Sequence, residues 1–162
     1  MGPRLVRGQG YLVLGPIDRA PGFAQVLAKA REATLWITHR QGASLPDSGE
    51  ILRVTTLDGA PGTVDPRRVK DLRAAVARFL DARGPGTIVL DCLDVLGAHG
   101  GPERVVRALE DLHEEVALRG AVLAVFADPE TANPRMLAWL EREFEIFPRA
   151  ADPRGDEARL LA

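Results

Sequence analysis

The chain has 162 residues, 46% of them apolar and 27% charged, a balance that suits one globular domain with a full core. Its formal net charge of -2 gives no general attraction to nucleic acid or to an acidic lipid surface. The single cysteine, Cys92, excludes an internal disulfide framework, and no apolar run reaches the roughly 18 residues of a membrane span. The start MGPRLVRGQG lacks the apolar stretch of a signal peptide, so a cytoplasmic location is expected. The basic residues are almost all arginine, with Lys29 and Lys70 the only lysines. Together with the many alanines, this suggests the GC-rich genome of a heat-tolerant bacterium.

In chain order, Tyr11-Leu-Val-Leu14 is a short apolar run closed by Gly15-Pro16, which predicts a buried strand and a turn. Phe23, Val26 and Leu27 recur at helical spacing and predict a helix from about Pro21 to Glu32. Thr34-Leu-Trp-Ile-Thr38 is β-branched and aromatic and predicts a second strand, ending at His39-Arg40. After the loop QGASLPDSGE, Ile51–Thr56 predicts a shorter strand at the edge of the sheet. The next helix has Asp65 as N-cap, Pro66 at its first position and Gly84 beyond its end, with an apolar stripe of Val69, Leu72, Val76, Phe79 and Leu80. The same device recurs from Gly101-Pro102 to Gly120, with a stripe of Val105, Val106, Leu109, Leu112 and Val116, and Asn133-Pro134 opens a further helix with Met136, Leu137 and Leu140 inward.

Between these helices lie Ile88–Leu90 and Ala121–Phe126, continuous apolar runs of the kind that parallel sheets covered on both faces contain. Phe144–Phe147 adds a last strand. Alternating strands and helices predict an α/β three-layer sandwich with a mainly parallel sheet of five to six strands. Residues 1–150 are expected to form one domain, and the tail ADPRGDEARLLA, 151–162, to be poorly ordered.

In such sheets ligands collect outside the carboxyl ends of the strands. The candidates there are His39 and Arg40 after the second strand, Asp91 and Asp94 around the fourth, and Asp128 after the fifth. A phosphate cradle additionally needs a glycine-rich loop with a lysine and a hydroxyl. After the first strand the chain reads GPIDRAPGF, with no lysine, serine or threonine and two prolines that lack an N–H. A phospho-accepting receiver domain would need an acidic pair after the first strand and a lysine after the fifth, where LGPID and FADPE stand instead. No nucleophile elbow G-x-S-x-G occurs. Cys92 reads as a small core residue in a buried strand, His99 as an exposed turn residue, His113 within EDLHEE as part of a solvated helix face, and Trp36 and Trp139 as core and interface.

The segments GYLVLGP, TLWITHR, TVDPRRVKDLRAAVARFL, TIVLDCLDVLGAHGG, AVLAVFADPE and LAWLEREFE, in this order, resemble the domain of unknown function eight-three-five, found in archaea and bacteria and often attached to signalling modules. The resemblance runs from about Gly10 to Phe147. The family's usual fourth-strand motif, L-D-G-hydrophobic-E-Y-L, is altered here, with Cys92, Asp94 and Val95 in place of the glycine, glutamate and tyrosine. The family in turn is similar to a recombinase and circadian-clock ATPase core without its phosphate loop. That likeness implies the strand order 3-2-4-5-1-6, which would make His39, Asp91 and Asp128 neighbours.

The resulting expectation is a non-catalytic signalling or scaffold module that binds a protein partner or itself, with a homodimer as the default self-assembly. It involves no cofactor, bound metal, nucleic acid or membrane. The alternative is a small-molecule or nucleotide-binding domain that uses the strand-tip cluster near His39, Asp91 and Asp128.

Overall fold

The computed structural model describes residues 5–46, 49–57 and 60–147. The first strand, β1 (Gly10–Leu14), is followed by a 3-10 turn at Ile17–Arg19 and by α1 (Ala20–Lys29). Then come β2 (Thr34–Thr38), β3 (Gly49–Val54), a two-residue β4 (Thr63–Val64) and α2 (Asp71–Arg83). The rest is β5 (Thr87–Leu90), α3 (Leu93–Gly100), α4 (Pro102–Arg119), β6 (Val122–Ala127), α5 (Pro134–Glu143) and β7 (Glu145–Ile146). The strands form one sheet in the order β4-β3-β2-β5-β6-β1-β7, and every neighbouring pair is parallel. This is the expected order with one short strand added at an edge.

Side chains on a strand alternate between faces, and the two sides of the core follow that rule. Tyr11, Val13, Trp36, Val89, Ala124 and Phe126 pack under α1, against Phe23, Ala24 and Leu27. Leu12, Leu35, Ile37, Ile88, Leu90, Leu123 and Val125 pack on the opposite side, against α2, α4 and α5. The stripes expected on α2 and α4 are buried there, except for the half-buried Val106. Each fully buried Leu or Phe contributes about 1.5–3 kcal/mol, so both layers are needed to hold the sheet.

Four local expectations are corrected. The strand around Ile51 is not an edge strand, because β4 pairs outside it through Arg53↔Thr63 and Val54↔Val64. The helix expected from Asp65 begins only at Asp71. Asp65 instead accepts from the Arg67 backbone N–H (2.8 Å) and side chain, and local bonding of this kind competes with helix. Two successive turns, Arg68 N–H to Asp65 C=O and Asp71 N–H to Arg68 C=O, both 2.9 Å, then bury Val69.

Third, the segment after Asp91 is the helix α3, which the two glycines at 97 and 100 concealed; Leu93 and Leu96 are its buried contacts. Cys92 stands at its N-terminal cap rather than in a strand, fully buried, and desolvation pushes its thiol well above the ordinary range. His99 lies exposed on this helix. Fourth, EDLHEE is not wholly solvated. His113 is half-buried on the Phe144 ring, with centroids 4.8 Å apart. Glu115 is buried between Arg73 (3.1 Å) and Arg119 (2.7 Å) and joins α2 to α4. The tail 151–162 lies outside the described residues.

Candidate functional site

At the carboxyl end of the sheet, β5 runs out at Leu90 and delivers Asp91 toward the α1 side, next to β2. Asp91 is not the solvent-facing strand tip that its position suggests. Its carboxylate is 1% exposed. Oδ2 accepts from the Trp36 indole N–H (3.0 Å) and the Thr38 hydroxyl (3.2 Å). The Thr38 oxygen in turn accepts from the Arg40 backbone N–H (3.2 Å).

The Arg40 guanidinium lies over the same carboxylate, with Nε 3.7 Å from Oδ2, and donates from Nη2 to the Ile17 carbonyl (3.3 Å). Asp91 Oδ1 is buried without a hydrogen-bond partner among the described residues. Burial pushes the Asp91 carboxyl above the usual carboxylate range. The Trp36 and Thr38 bonds and the charges of Arg40 and His39 oppose this without cancelling it.

The second cluster is open. A cleft of about 370 Å³ is lined by Asp94 on α3, Asp128 after β6, and the apolar side chains of Ile17, Leu93 and Met136. The Asp128 carboxylate accepts from the Glu130 N–H (2.9 Å), and Asn133 Oδ1 caps α5 by accepting from the N–H groups of Arg135 and Met136. Asp94 is exposed in the first turn of α3. The sequence-predicted residues therefore fall into two groups: Arg40 with Asp91, and Asp94 with Asp128. His39 is exposed beside the first group. Ile17 connects the groups, since it lines the cleft while its carbonyl is held by Arg40.

Sequence reasoning missed Trp36 and Thr38 as partners of Asp91. The only signal was alternation: Thr34, Trp36 and Thr38 share one face of β2. Knowing that this face meets Asp91 requires the β2–β5 pairing, in which Trp36 lies beside Val89 and Ile37 beside Leu90. Among the described residues no group of three or more histidine, cysteine, aspartate or glutamate side chains is placed to hold a metal ion. No helix among them is long and apolar enough to cross a membrane.

The turn after β1 explains why this end of the sheet has no phosphate cradle. Gly15 donates its N–H to the Ala127 carbonyl (3.1 Å), so that donor is already used. Pro16 and Pro21 bracket the 3-10 turn and offer none. The model of the family described as Protein of unknown function (DUF835) matches residues 19–144. No curated protein matches the chain.

Proposed function

The chain belongs to the DUF835 family, and from that premise we propose that it is a non-catalytic signalling module or scaffold that binds a protein partner or a second copy of itself. The observation that carries this reading is the internal use of Asp91. In a nucleotide hydrolase the carboxylate at this strand tip orients a hydrated metal beside the phosphates. Here its Oδ2 is committed to Trp36 and Thr38 beneath Arg40, and a metal would have to displace those donors in a buried site.

The test is a turnover assay with ATP or GTP and Mg²⁺, together with light scattering over a concentration series. No hydrolysis above background is expected, and a mass above that of the 17.5 kDa chain supports self-association. Hydrolysis abolished by Asp91→Asn in a folded variant would overturn the reading. A 17.5 kDa mass at every concentration leaves a different protein as the partner.

A second reading is favoured by the cleft at Asp94 and Asp128, whose size lies within the range of small-molecule sites. In that case a nucleotide, cyclic dinucleotide or divalent metal raises the melting temperature, and Asp94→Ala or Asp128→Ala abolishes the increase. Unchanged melting throughout such a screen would remove this reading.

A further inference from the structure

We propose that the basic cleft between the N-terminal ends of α2 and α4 is a binding site for a small molecule carrying a chain of phosphate groups. The cleft holds about 470 Å³ and is lined by Arg67, Arg68, Lys70, Arg104 and Arg107, with Asp111 the one carboxylate of its lining. That concentration is not a reflection of overall charge, because the whole chain carries -2. One of its only two lysines, Lys70, stands here.

Arg67 and Arg68 form ion pairs with Asp65 (2.6 Å) and Asp71 (3.1 Å). Lys70, Arg104 and Arg107 are exposed and make no salt bridge among the described residues. The result is two paired guanidinium groups beside three exposed cations that make no salt bridge among the described residues. Planar guanidinium forks suit phosphate oxygens, and a lysine adds a point charge.

The two helix ends at the cleft also bear on an anion. The N-terminal end of a helix is its positive end, where cations are disfavoured and anions stabilised. Lys29, Arg83, Arg119 and Arg142 follow this rule in the last turns of α1, α2, α4 and α5, whereas Arg19 precedes α1 and Arg135 stands in the first turn of α5. At the cleft both signs of charge meet the helix ends, since Asp71 and Glu103 stand in the first turns of α2 and α4. Lys70 immediately precedes α2, and Arg104 lies in the first turn of α4. Neither helix has a side-chain cap there, and α4 starts from Gly101 and Pro102. A polyanion seated in the cleft would meet its cations and two positive helix ends together.

The site is built by different residues from Asp91 and from the Asp94–Asp128 cleft, so its test is independent of both functional readings. The experiment is calorimetric titration of the full chain with tripolyphosphate, ATP, inorganic phosphate and sulfate, at low and at high salt. Tripolyphosphate is expected to bind saturably, more tightly than phosphate or sulfate, and more weakly as salt rises. The double variant Arg104→Ala/Arg107→Ala removes two exposed side chains and is expected to lose about tenfold or more in affinity. Arg142→Ala and Asp94→Ala, outside the cleft, should bind as the parent does.

ATP binding more tightly than tripolyphosphate would assign the phosphate chain to a nucleotide, and equal affinity would assign recognition to the phosphates alone; either supports the site. Absence of saturable binding at low salt, equal affinity for sulfate, or unchanged affinity in the double variant would overturn it. A phosphoserine peptide that binds where tripolyphosphate does not would also overturn it, in favour of a peptide partner.

Discussion

Replacing Asp91 by alanine tests whether this carboxylate is a structural hub. The change removes the acceptor for two buried donors, the Trp36 indole N–H and the Thr38 hydroxyl, and the charge under Arg40. A buried donor left without a partner costs about 1–3 kcal/mol. Thr38 lies at the low end, since its hydroxyl can rotate toward another acceptor. Releasing a desolvated charge offsets part of the loss. The expected net destabilisation is about 3 kcal/mol, or about 6–12 °C in melting temperature for a chain of this size. Guanidinium denaturation followed by tryptophan fluorescence, with an unchanged m-value, measures it.

Asp91→Asn separates the charge from the hydrogen bonds. Its amide oxygen can keep both donors, so a loss of only about 1 kcal/mol is expected at neutral pH. The pH dependence follows from the raised native pKa. A carboxyl whose folded value lies above its unfolded 3.8 binds more protons when folded, within the window between the two values. Its stabilising contribution is fully present below 3.8 and is lost as pH rises through the native value. Wild type should therefore gain relative to Asp91→Asn as the pH falls into that window. An alanine variant that loses under about 1 kcal/mol, or a gap that narrows on acidification, would refute the reasoning.

Three further outcomes are expected. Gly86→Ala should destabilise by about 2 kcal/mol in chemical denaturation, because a Cβ there would stand 2.3 Å from the Ala33 carbonyl oxygen; a neutral result would mean that the β2–β5 approach relaxes freely. Glu115→Ala should cost about 2 kcal/mol with weak salt dependence, as the buried carboxylate clamps Arg73 and Arg119, which are themselves one-third exposed; a loss abolished by high salt would assign the clamp to the surface. The Asp65 carboxyl, held down by the Arg67 bonds, should titrate by NMR at about 2 rather than 3.8. The contribution of its Arg67 contacts is then present above 3.8 and lost only as pH falls through about 2. An ordinary midpoint would show that the Asp65–Arg67 contact does not persist in solution.

What the sequence determined by itself was whatever depends on local periodicity and composition. Apolar runs such as Ile88–Leu90 and stripes such as Val105, Leu109, Leu112 and Val116 encode burial directly, and with them the alternation of strands and helices. The cap at Asn133 was readable because its partners, Arg135 and Met136, are two and three residues away. The cradle-free turn after β1 was equally local.

The tertiary structure decided what depends on distant pairing. Arg67 diverted Asp65 from capping a helix, although both residues are close in sequence, because two competing local arrangements were available and the buried Val69 favoured the turns. Glu115 looked like any residue of a charged helix until α2 brought Arg73 alongside. Asp91 looked like an exposed strand tip until β2 placed Trp36 and Thr38 against it, across more than fifty positions of sequence. Burial and hydrogen bonding at such a site are properties of the sheet order, which no short stretch of chain carries.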